Sequence, residues 1–224
     1  GQCMVMSGKL VVFDMDGVLI KPRSSWRIIH DHLGTQNEES YELYMQGKID
    51  DAGFMKRDIE MWMDARPDID ISYLEGIFSQ IGRMPGYSKA MDSLIDSGFD
   101  IIMISGGIDL LSRQIDVERR FRDIFSNGLL SDRKGRLTGE GILRVPLRDK
   151  GSVIREYLLR NPEYELVVSV GDSFVDVPLF LSSDLSIAFR PMDKFASLNA
   201  DIVIEGEDLR KVSDAVLDRT GPSP

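Results

Sequence analysis

Pairs of carboxylates follow two apolar segments of the chain, and carboxylates in such places can bind a metal ion or transfer protons. The apolar run of residues 10–13 stops at Asp14 and Asp16, and a later run is followed by Asp172 and Asp176. Carboxylates gathered in one place repel one another, and a divalent cation relieves that repulsion. Oxygen ligands without histidine or cysteine suit a hard ion, so the pattern predicts a Mg²⁺ site.

A hydroxyl, backbone amides and a lysine supply the complementary groups that bind an anion. Ser105 and Gly106 follow a third apolar run, residues 99–104, and Lys150 begins a segment with helical spacing. Read alone, Ser105 could equally be a turn or helix-cap residue. The helix dipole disfavours a lysine at a helix start, which favours a functional reason for Lys150. Beside the carboxylates and a metal ion, these groups would hold phosphate oxygens and predict phosphoryl transfer.

Parallel strands are the elements that must bring these groups together. From residue 84 onward, strand-like and helix-like segments alternate, which predicts an α/β fold with a doubly wound, mainly parallel sheet. In such sheets ligands bind outside the carboxyl ends of the strands, where the polar clusters fall. We expect strands over residues 10–13, 99–104, 166–170, 185–189 and 201–204, a hairpin between 125 and 145, and helices over 108–121, 150–160 and 209–217.

A helical insertion separates the first strand from this alternating part. Over residues 21–83 apolar residues recur every three to four positions, and Pro67 separates two helices, the later one over 71–81. We therefore predict two units. An α/β catalytic core would comprise residues 1–20 and 84–224, and a small helical cap of residues 21–83 would cover the pocket.

Composition limits the class of partner. The chain of 224 residues has 27 basic and 37 acidic residues, a formal charge of -10, which argues against nucleic-acid binding. A small anionic substrate would need a local positive group or a metal ion. No apolar run approaches the roughly 20 residues of a membrane-spanning helix, and the start of the chain lacks an apolar signal core. We therefore expect a cytoplasmic protein without a membrane partner, either a monomer or a homodimer.

Four segments, in order, resemble the four motifs of the haloacid dehalogenase superfamily of phosphohydrolases. They are residues 14–18, 104–107, Lys150 at a helix start, and 171–176. The Ser-Gly-Gly form of the second segment, the insertion after the first and the hairpin region resemble the phosphoserine phosphatase branch in particular. The resemblance covers nearly the whole chain and implies a magnesium-dependent hydrolase of small phosphomonoesters.

The resemblance also implies a role for each residue that matches a motif. Asp14 would be the nucleophile that becomes an aspartyl-phosphate, and Asp16 would protonate the leaving oxygen and later deprotonate a water molecule. Ser105 and the Gly106 amide would hold phosphate oxygens. Lys150 would neutralise those oxygens and Asp14.

The implied magnesium ligands come from the first and last motifs. They are a carboxylate oxygen of Asp14, the backbone carbonyl of Asp16, and Asp172, with Asp176 holding the ion or its waters. Phosphoserine phosphatases usually have asparagine just before the last aspartate, where this chain has Val175. That difference predicts a looser shell around the lysine and the metal ion without loss of a direct ligand.

The residues at the positions expected to recognise the substrate differ more strongly from those of the phosphoserine phosphatase branch. Serine-specific members of the family carry a glutamate in the first turn of the insertion, which binds the substrate amine, and an arginine on a later helix, which binds its carboxylate. Arg23 falls at the first place and Asp58 at the second, so the charges are exchanged. Arg57 would supply the carboxylate contact if the register shifts by one residue. Plain surface charge is the alternative for Arg23 and Arg57.

The sequence therefore predicts a magnesium-dependent phosphatase with altered substrate recognition, and three alternatives stay open. A phosphotransferase or mutase would pass the aspartyl-phosphate to another acceptor. A phosphate-binding signalling module, similar to a response-regulator receiver, would be about half as long and would lack the insertion and the last motif. A catalytically silent phosphate-binding protein would not need both Asp14 and Asp16.

Overall fold

A computed structural model describes residues 8–222 of the chain. The chain start, on which the expected cytoplasmic location partly rests, lies outside the described residues. Within the described part, the strands form one seven-stranded sheet of order β4-β3-β2-β1-β5-β6-β7. These strands are β1 (Gly8–Phe13), β2 (Phe99–Ile108), β3 (Asp123–Ser131), β4 (Leu137–Ile142), β5 (Tyr164–Gly171), β6 (Leu185–Phe189) and β7 (Ile202–Ile204).

The sheet is parallel apart from the hairpin of β3 and β4, which pair antiparallel at one edge. The predicted α/β class, mainly parallel sheet and hairpin are therefore confirmed. The described helices are α1 (Ser25–Leu33), α2 (Glu38–Met45), α3 (Asp51–Ala65), α4 (Ile71–Phe78), α5 (Tyr87–Asp96), α6 (Asp109–Ile115), α7 (Lys150–Arg160), α8 (Val177–Leu181), α9 (Lys194–Asn199) and α10 (Arg210–Thr220). Among residues 8–222, no helix has both the length and the apolar character needed to cross a membrane.

Strand β1 lies between β2 and β5, with apolar layers on both of its faces. Val11 and Phe13 pack in the larger core, against side chains of α5 and α10, whereas Leu10 and Val12 pack in a second core with Ile154 of α7. A parallel strand covered on both faces needs apolar residues at every position, which explains the continuous run. The carboxyl ends of β1, β2 and β5 consequently lie side by side.

Several boundaries differ from the sequence prediction because side chains end or extend the elements. Strand β2 continues through the Ser-Gly-Gly segment to Ile108, with a shift of register against β3 between Ile104 and Ile108. Helix α6 ends at Ile115 rather than near residue 121. The Asp116 carboxylate accepts hydrogen bonds from the backbone N–H groups of Arg120 and Phe121, which holds this stretch in a turn. The short helices α8 and α9 were not predicted.

The helices α1–α4, called the inserted helices below, follow β1 directly and contact the hairpin. The Trp26 and Trp62 rings stack at 5.4 Å between centroids, which joins α1 to α3. Helix α3 lies against β4, where a Cβ atom at Gly141 would come within 2.8 Å of the Met55 sulfur. The hairpin is thus packed against the inserted helices.

Candidate active site

The carboxyl ends of β1, β2 and β5 form the floor of a cavity of about 710 Å³. The side chains of Asp14, Ser105 and Asp172 reach it from these three strands. The inserted helices and the segment after β4 form its walls. The structure therefore brings together the polar clusters that the sequence placed at three separate strand ends.

Lys150 links the first and last motifs. Its ammonium nitrogen donates to Asp14 Oδ1 at 3.1 Å and to Asp176 Oδ1 at 2.8 Å, and the residue is only 2% exposed. Burial alone would lower the pKa of Lys150, but the negative charges of Asp14 and Asp176 raise it well above its ordinary value. Lys150 therefore stays positively charged in the pocket.

Three buried carboxylates surround this lysine, and we call Asp14, Lys150, Asp172 and Asp176 the strand-end cluster. Carboxylate oxygens of the three aspartates lie within 4.8 Å of one another. Burial, with the charge of Asp176 added, raises the pKa of Asp14 and raises the pKa of Asp172 to about 7. Lys150 and the Arg23 guanidinium, which donates to Asp172 Oδ2, are two positive charges for three carboxylates, and this all-oxygen set fits a hard divalent cation.

Backbone N–H groups hold the Asp176 carboxylate in place, and the absence of a side chain at Gly17 leaves room for Asp172. Asp176 Oδ2 accepts the N–H groups of Asp172 at 2.9 Å and Ser173 at 3.3 Å, while its other oxygen receives the lysine. Gly17 has a φ of 76°, and a Cβ atom there would lie 1.9 Å from Asp172 Oδ2. The glycine after the first pair of aspartates is therefore required by the close approach of Asp172.

Asp16 lines the same cavity, but its hydrogen-bond partner lies outside the strand-end cluster. Its Oδ2 accepts hydrogen bonds from Ser25, at 2.9 Å from the backbone N–H and 3.3 Å from the hydroxyl. Its Oδ1 is buried and has no hydrogen-bond partner among the described residues. Burial raises the pKa of Asp16 to about 6, although the Ser25 backbone hydrogen bond opposes the shift. Asp16 thus has one oxygen fixed and one available.

The Ser-Gly-Gly segment at the end of β2 is held by hydrogen bonds from α1 and from the hairpin. Ser105 Oγ accepts the Gly107 N–H at 3.0 Å, and the Gly106 carbonyl accepts hydrogen bonds from Trp26 Nε1 at 3.0 Å and Asn127 Nδ2 at 3.3 Å. The Ile108 N–H donates to the Ser25 hydroxyl at 2.9 Å. These contacts leave the Gly106 segment facing the cavity.

Sequence reasoning missed three residues that organise this site. Ser25 connects Asp16 to β2, Trp26 connects α1 to Gly106, and Asn127 connects the hairpin to the same carbonyl. The local sequence around each of these residues has a common structural explanation that does not point to a functional site. A serine pair suggests a helix start, a tryptophan in an apolar stripe suggests packing, and Asn-Gly suggests a turn.

The three predicted substrate residues occupy different surroundings. Arg23 Nη1 donates to Asp172 Oδ2 at 2.8 Å and to the Arg190 carbonyl at 2.7 Å. Asp58 is buried and lines the cavity, with one oxygen 3.3 Å from His30 Nε2. Arg57 lies beside the cavity rather than in its lining, and its Nε donates to Ser40 Oγ at 3.0 Å.

Comparison with known proteins identifies the class. Residues 11–181 match the model of the haloacid dehalogenase-like hydrolase family, which is more than half of the chain. The chain belongs to this family.

Its relatives narrow the class further. Phosphoserine phosphatase of Methanocaldococcus jannaschii is 26% identical over 210 residues, covering 91% of this chain and 95% of the relative. Phosphoserine phosphatase of Archaeoglobus fulgidus is 28% identical, covering 90% of this chain and 58% of that longer relative. A solved structure described as a phospho-aspartyl intermediate analogue of phosphoserine phosphatase has a TM-score of 0.77 and 25% identity, over 94% of this chain and 99% of that one. The chain is a phosphatase of the phosphoserine phosphatase-like branch, as the motifs predicted.

Proposed function

We propose that this protein is a Mg²⁺-dependent phosphomonoester hydrolase that forms an aspartyl-phosphate on Asp14. One observation carries the proposal: Asp14 is buried against Lys150 at the floor of a cavity that also contains Asp16. The substrate would be a small phosphorylated metabolite. The fold and the phosphoserine phosphatase relatives support the reaction class.

In the first step, an Asp14 oxygen attacks phosphorus and the bond from phosphorus to the ester oxygen breaks. Asp16 gives its proton to the departing oxygen, so the leaving group departs as a neutral alcohol. The raised pKa of about 6 keeps a useful share of Asp16 protonated near neutral pH. The hydrogen bonds from Ser25 fix the orientation of the Asp16 carboxyl group, which lines the cavity.

In the second step, Asp16 accepts a proton from water as the water oxygen attacks the same phosphorus. The bond from phosphorus to Asp14 breaks, which releases inorganic phosphate and restores both carboxyl groups. Ser105 Oγ and the Gly106 N–H would hold phosphate oxygens throughout. The fixed charge of Lys150 would stabilise them in both transition states.

The strand-end cluster fits magnesium. Asp14 and Asp172 would hold the ion with their carboxylates, Asp16 with its backbone carbonyl, and Asp176 directly or through water. When bound, the ion supplies positive charge that offsets the phosphate and the crowded carboxylates. Both Asp176 oxygens already bind protein groups, which favours a role through Lys150 and water.

We also propose that residues 21–83 act as a cap over a core of residues 1–20 and 84–224. The position of the inserted helices over the strand ends supports this division. Closure of such a cap would exclude water until the aspartyl-phosphate forms. A cytoplasmic location and a monomeric or homodimeric state stay predictions.

The test is Mg²⁺-dependent release of inorganic phosphate from p-nitrophenyl phosphate and a panel of natural phosphomonoesters. Activity should need the metal and fall to the assay background in Asp14→Asn, because the nucleophile is lost. Asp64→Asn, an exposed change on α3, is the matched control and should retain activity. Full activity of Asp14→Asn would overturn the proposal.

The same assay distinguishes hydrolysis from transfer of the phosphoryl group to an organic acceptor. With ¹⁸O-labelled water, hydrolysis places one labelled oxygen in the released phosphate. Retention of the phosphoryl group on an organic acceptor, with unlabelled phosphate, would identify a phosphotransferase or mutase instead.

A further inference from the structure

The cavity is larger than phosphate and a three-carbon alcohol require. Its volume of about 710 Å³ falls within the roughly 300–1,000 Å³ typical of small-molecule sites. Away from the strand-end cluster its walls are largely aromatic and aliphatic. The apolar lining includes Trp26, Tyr41, Phe54, Met55 and Leu143. The leaving group should therefore have an apolar body.

Two arginines of the insertion are already occupied. Arg23 donates to Asp172 and to a backbone carbonyl, and the pair with Asp172 is 2.8 Å long. Arg57 binds Ser40 and lies 3.9 Å from Glu39, beside the cavity. Both guanidinium groups therefore already have acceptors within the protein.

The remaining arginine in this wall lies between two acidic groups. Arg27 is 3.9 Å from Asp31 and 3.6 Å from Glu38, and all three side chains line the cavity. Among the described residues, Arg27 is thus the cavity-lining arginine of the inserted helices, and acidic groups lie on both sides of it. A carboxylate such as that of phosphoserine would have to displace these acidic groups to reach Arg27.

Acidic side chains outnumber basic ones where the inserted helices line the cavity. Four carboxylates of the described inserted helices lie there, and we call them the acidic wall: Asp31, Glu38, Asp51 and Asp58. Asp58 is 2% exposed, and its Oδ1 makes no hydrogen bond of good geometry within the described residues although His30 Nε2 is 3.3 Å away. The field at this wall therefore attracts a cation and repels an anion.

We infer that the substrate is the phosphate ester of an amino alcohol: its leaving group carries positive charge and an apolar body, and it has no carboxylate. The inference rests on the proposed function. Phosphate binds at the strand-end cluster, and the cationic end lies among the acidic groups. The Trp26 and Tyr41 rings offer faces for cation–π contacts.

The experiment compares esters that differ in charge at nearly constant shape. Choline phosphate is the cationic probe, 3,3-dimethylbutyl phosphate is its neutral isostere, and phosphoserine adds a carboxylate. With Mg²⁺, kcat/KM for choline phosphate should exceed that for the neutral isostere by about tenfold, the scale of one desolvated cation contact. Phosphoserine should be the slowest of the three. The p-nitrophenyl ester reports hydrolysis independently of charge.

A variant pair assigns the preference to the acidic wall. The double variant Asp31→Asn, Glu38→Gln removes two carboxylates and releases Arg27, so it should reduce the preference for choline phosphate over its isostere to near one. It should also improve kcat/KM for phosphoserine. Glu42→Gln is the matched control, because Glu42 lies on α2, exposed and outside the described cavity lining. It should leave both ratios unchanged.

The outcomes separate this inference from the proposed function. If the neutral isostere or phosphoserine is cleaved at least as well as choline phosphate, the amino-alcohol assignment is wrong while phosphomonoester hydrolysis stands. An unchanged preference in the double variant would overturn the role of Asp31 and Glu38. If no ester releases phosphate, p-nitrophenyl phosphate included, the proposed function fails and this inference fails with it.

Discussion

Charged side chains are arranged differently in the strand-end cluster and on the inserted helices. In the cluster, Lys150 and its partners Asp14 and Asp176 are almost fully buried. On the inserted helices, Arg27 and Asp31 form a pair 3.9 Å apart, with more than half of each side chain exposed. Buried charges without partners are strongly destabilising, whereas exposed pairs contribute little. The charged groups of the strand-end cluster are therefore held in place by buried partners. The exposed charged groups of the inserted helices can still change partners when a ligand binds.

The largest expected effect comes from removing the central cation of the cluster. Lys150→Met leaves Asp14 and Asp176 buried without a cationic partner, so we expect the metal-free protein to lose about 3–5 kcal/mol of unfolding free energy. Phosphatase activity should be lost as well. Urea denaturation in a chelator measures the change.

The matched control for that variant is Lys89→Met, which alters an exposed lysine on α5. Its unfolding free energy should stay within about 0.5 kcal/mol of the wild type. Equal midpoints for Lys150→Met and the wild type would contradict the buried ion-pair network.

Metal binding should depend on pH because the carboxylates of the strand-end cluster lie close together. Because burial and mutual repulsion raise the pKa values of Asp14 and Asp172, the native state binds more protons than the unfolded state between about pH 4 and pH 7. The stability of the metal-free protein should therefore fall as the pH rises through that window. Mg²⁺ replaces those protons and should stabilise the protein more at pH 8 than at pH 5.

The measurement is thermal unfolding with Mg²⁺ or with chelator at both pH values. Mg²⁺ at about 100 times its Kd adds about 2.7 kcal/mol. A shift of equal size at pH 5 and pH 8 would contradict binding at these carboxylates. The Asp172→Asn variant should show a smaller shift at pH 8.

Ser25 connects the inserted helices to Asp16 and to β2, and its removal should affect the proton transfer more than the fold. Ser25→Ala deletes the hydroxyl between Asp16 and the Ile108 N–H. We expect kcat/KM to fall by about 10²-fold for alkyl phosphates, whose leaving groups need a proton. The p-nitrophenyl ester has a good leaving group and should lose much less.

The neighbouring serine provides the control. Ser24 is the N-cap of α1, where its hydroxyl accepts the Arg27 N–H at 3.2 Å, and Asp16 is not among its partners. Ser24→Ala should cost about 1 kcal/mol of stability without changing the ratio between the two kinds of ester. An equal loss for both esters in Ser25→Ala would show that Ser25 does not position Asp16.

The smallest effect is expected at Arg57, on the outer side of the insertion. Its guanidinium binds Ser40 rather than the cavity, so Arg57→Gln should change stability by no more than about 0.5 kcal/mol and leave kcat/KM unchanged. Lys56→Gln removes the adjacent positive charge as a control. A selective rise in KM for phosphoserine in Arg57→Gln would restore Arg57 as a carboxylate contact.

The sequence predicted the strands whose carboxyl ends form the floor of the cavity. A buried parallel strand needs a continuous apolar run, and its abrupt end at Asp14 is visible in the chain without any structure. The same pattern at residues 99–104 and 166–170 defined the neighbouring strands and the position of Ser105. Local periodicity likewise predicted the hairpin and the helix that begins at Lys150.

The packed structure alone decided how those residues are held. Arg23 is 149 positions from Asp172, and Ser25 is 83 positions from Ile108, yet each pair forms a hydrogen bond. No local pattern predicts such partners, because which side chains meet depends on how the inserted helices lie over the sheet. By itself the sequence determined the strand ends and the residues on them, since these follow from local apolar patterns. Tertiary structure decided which cations remain available to a substrate, since that depends on contacts between distant segments.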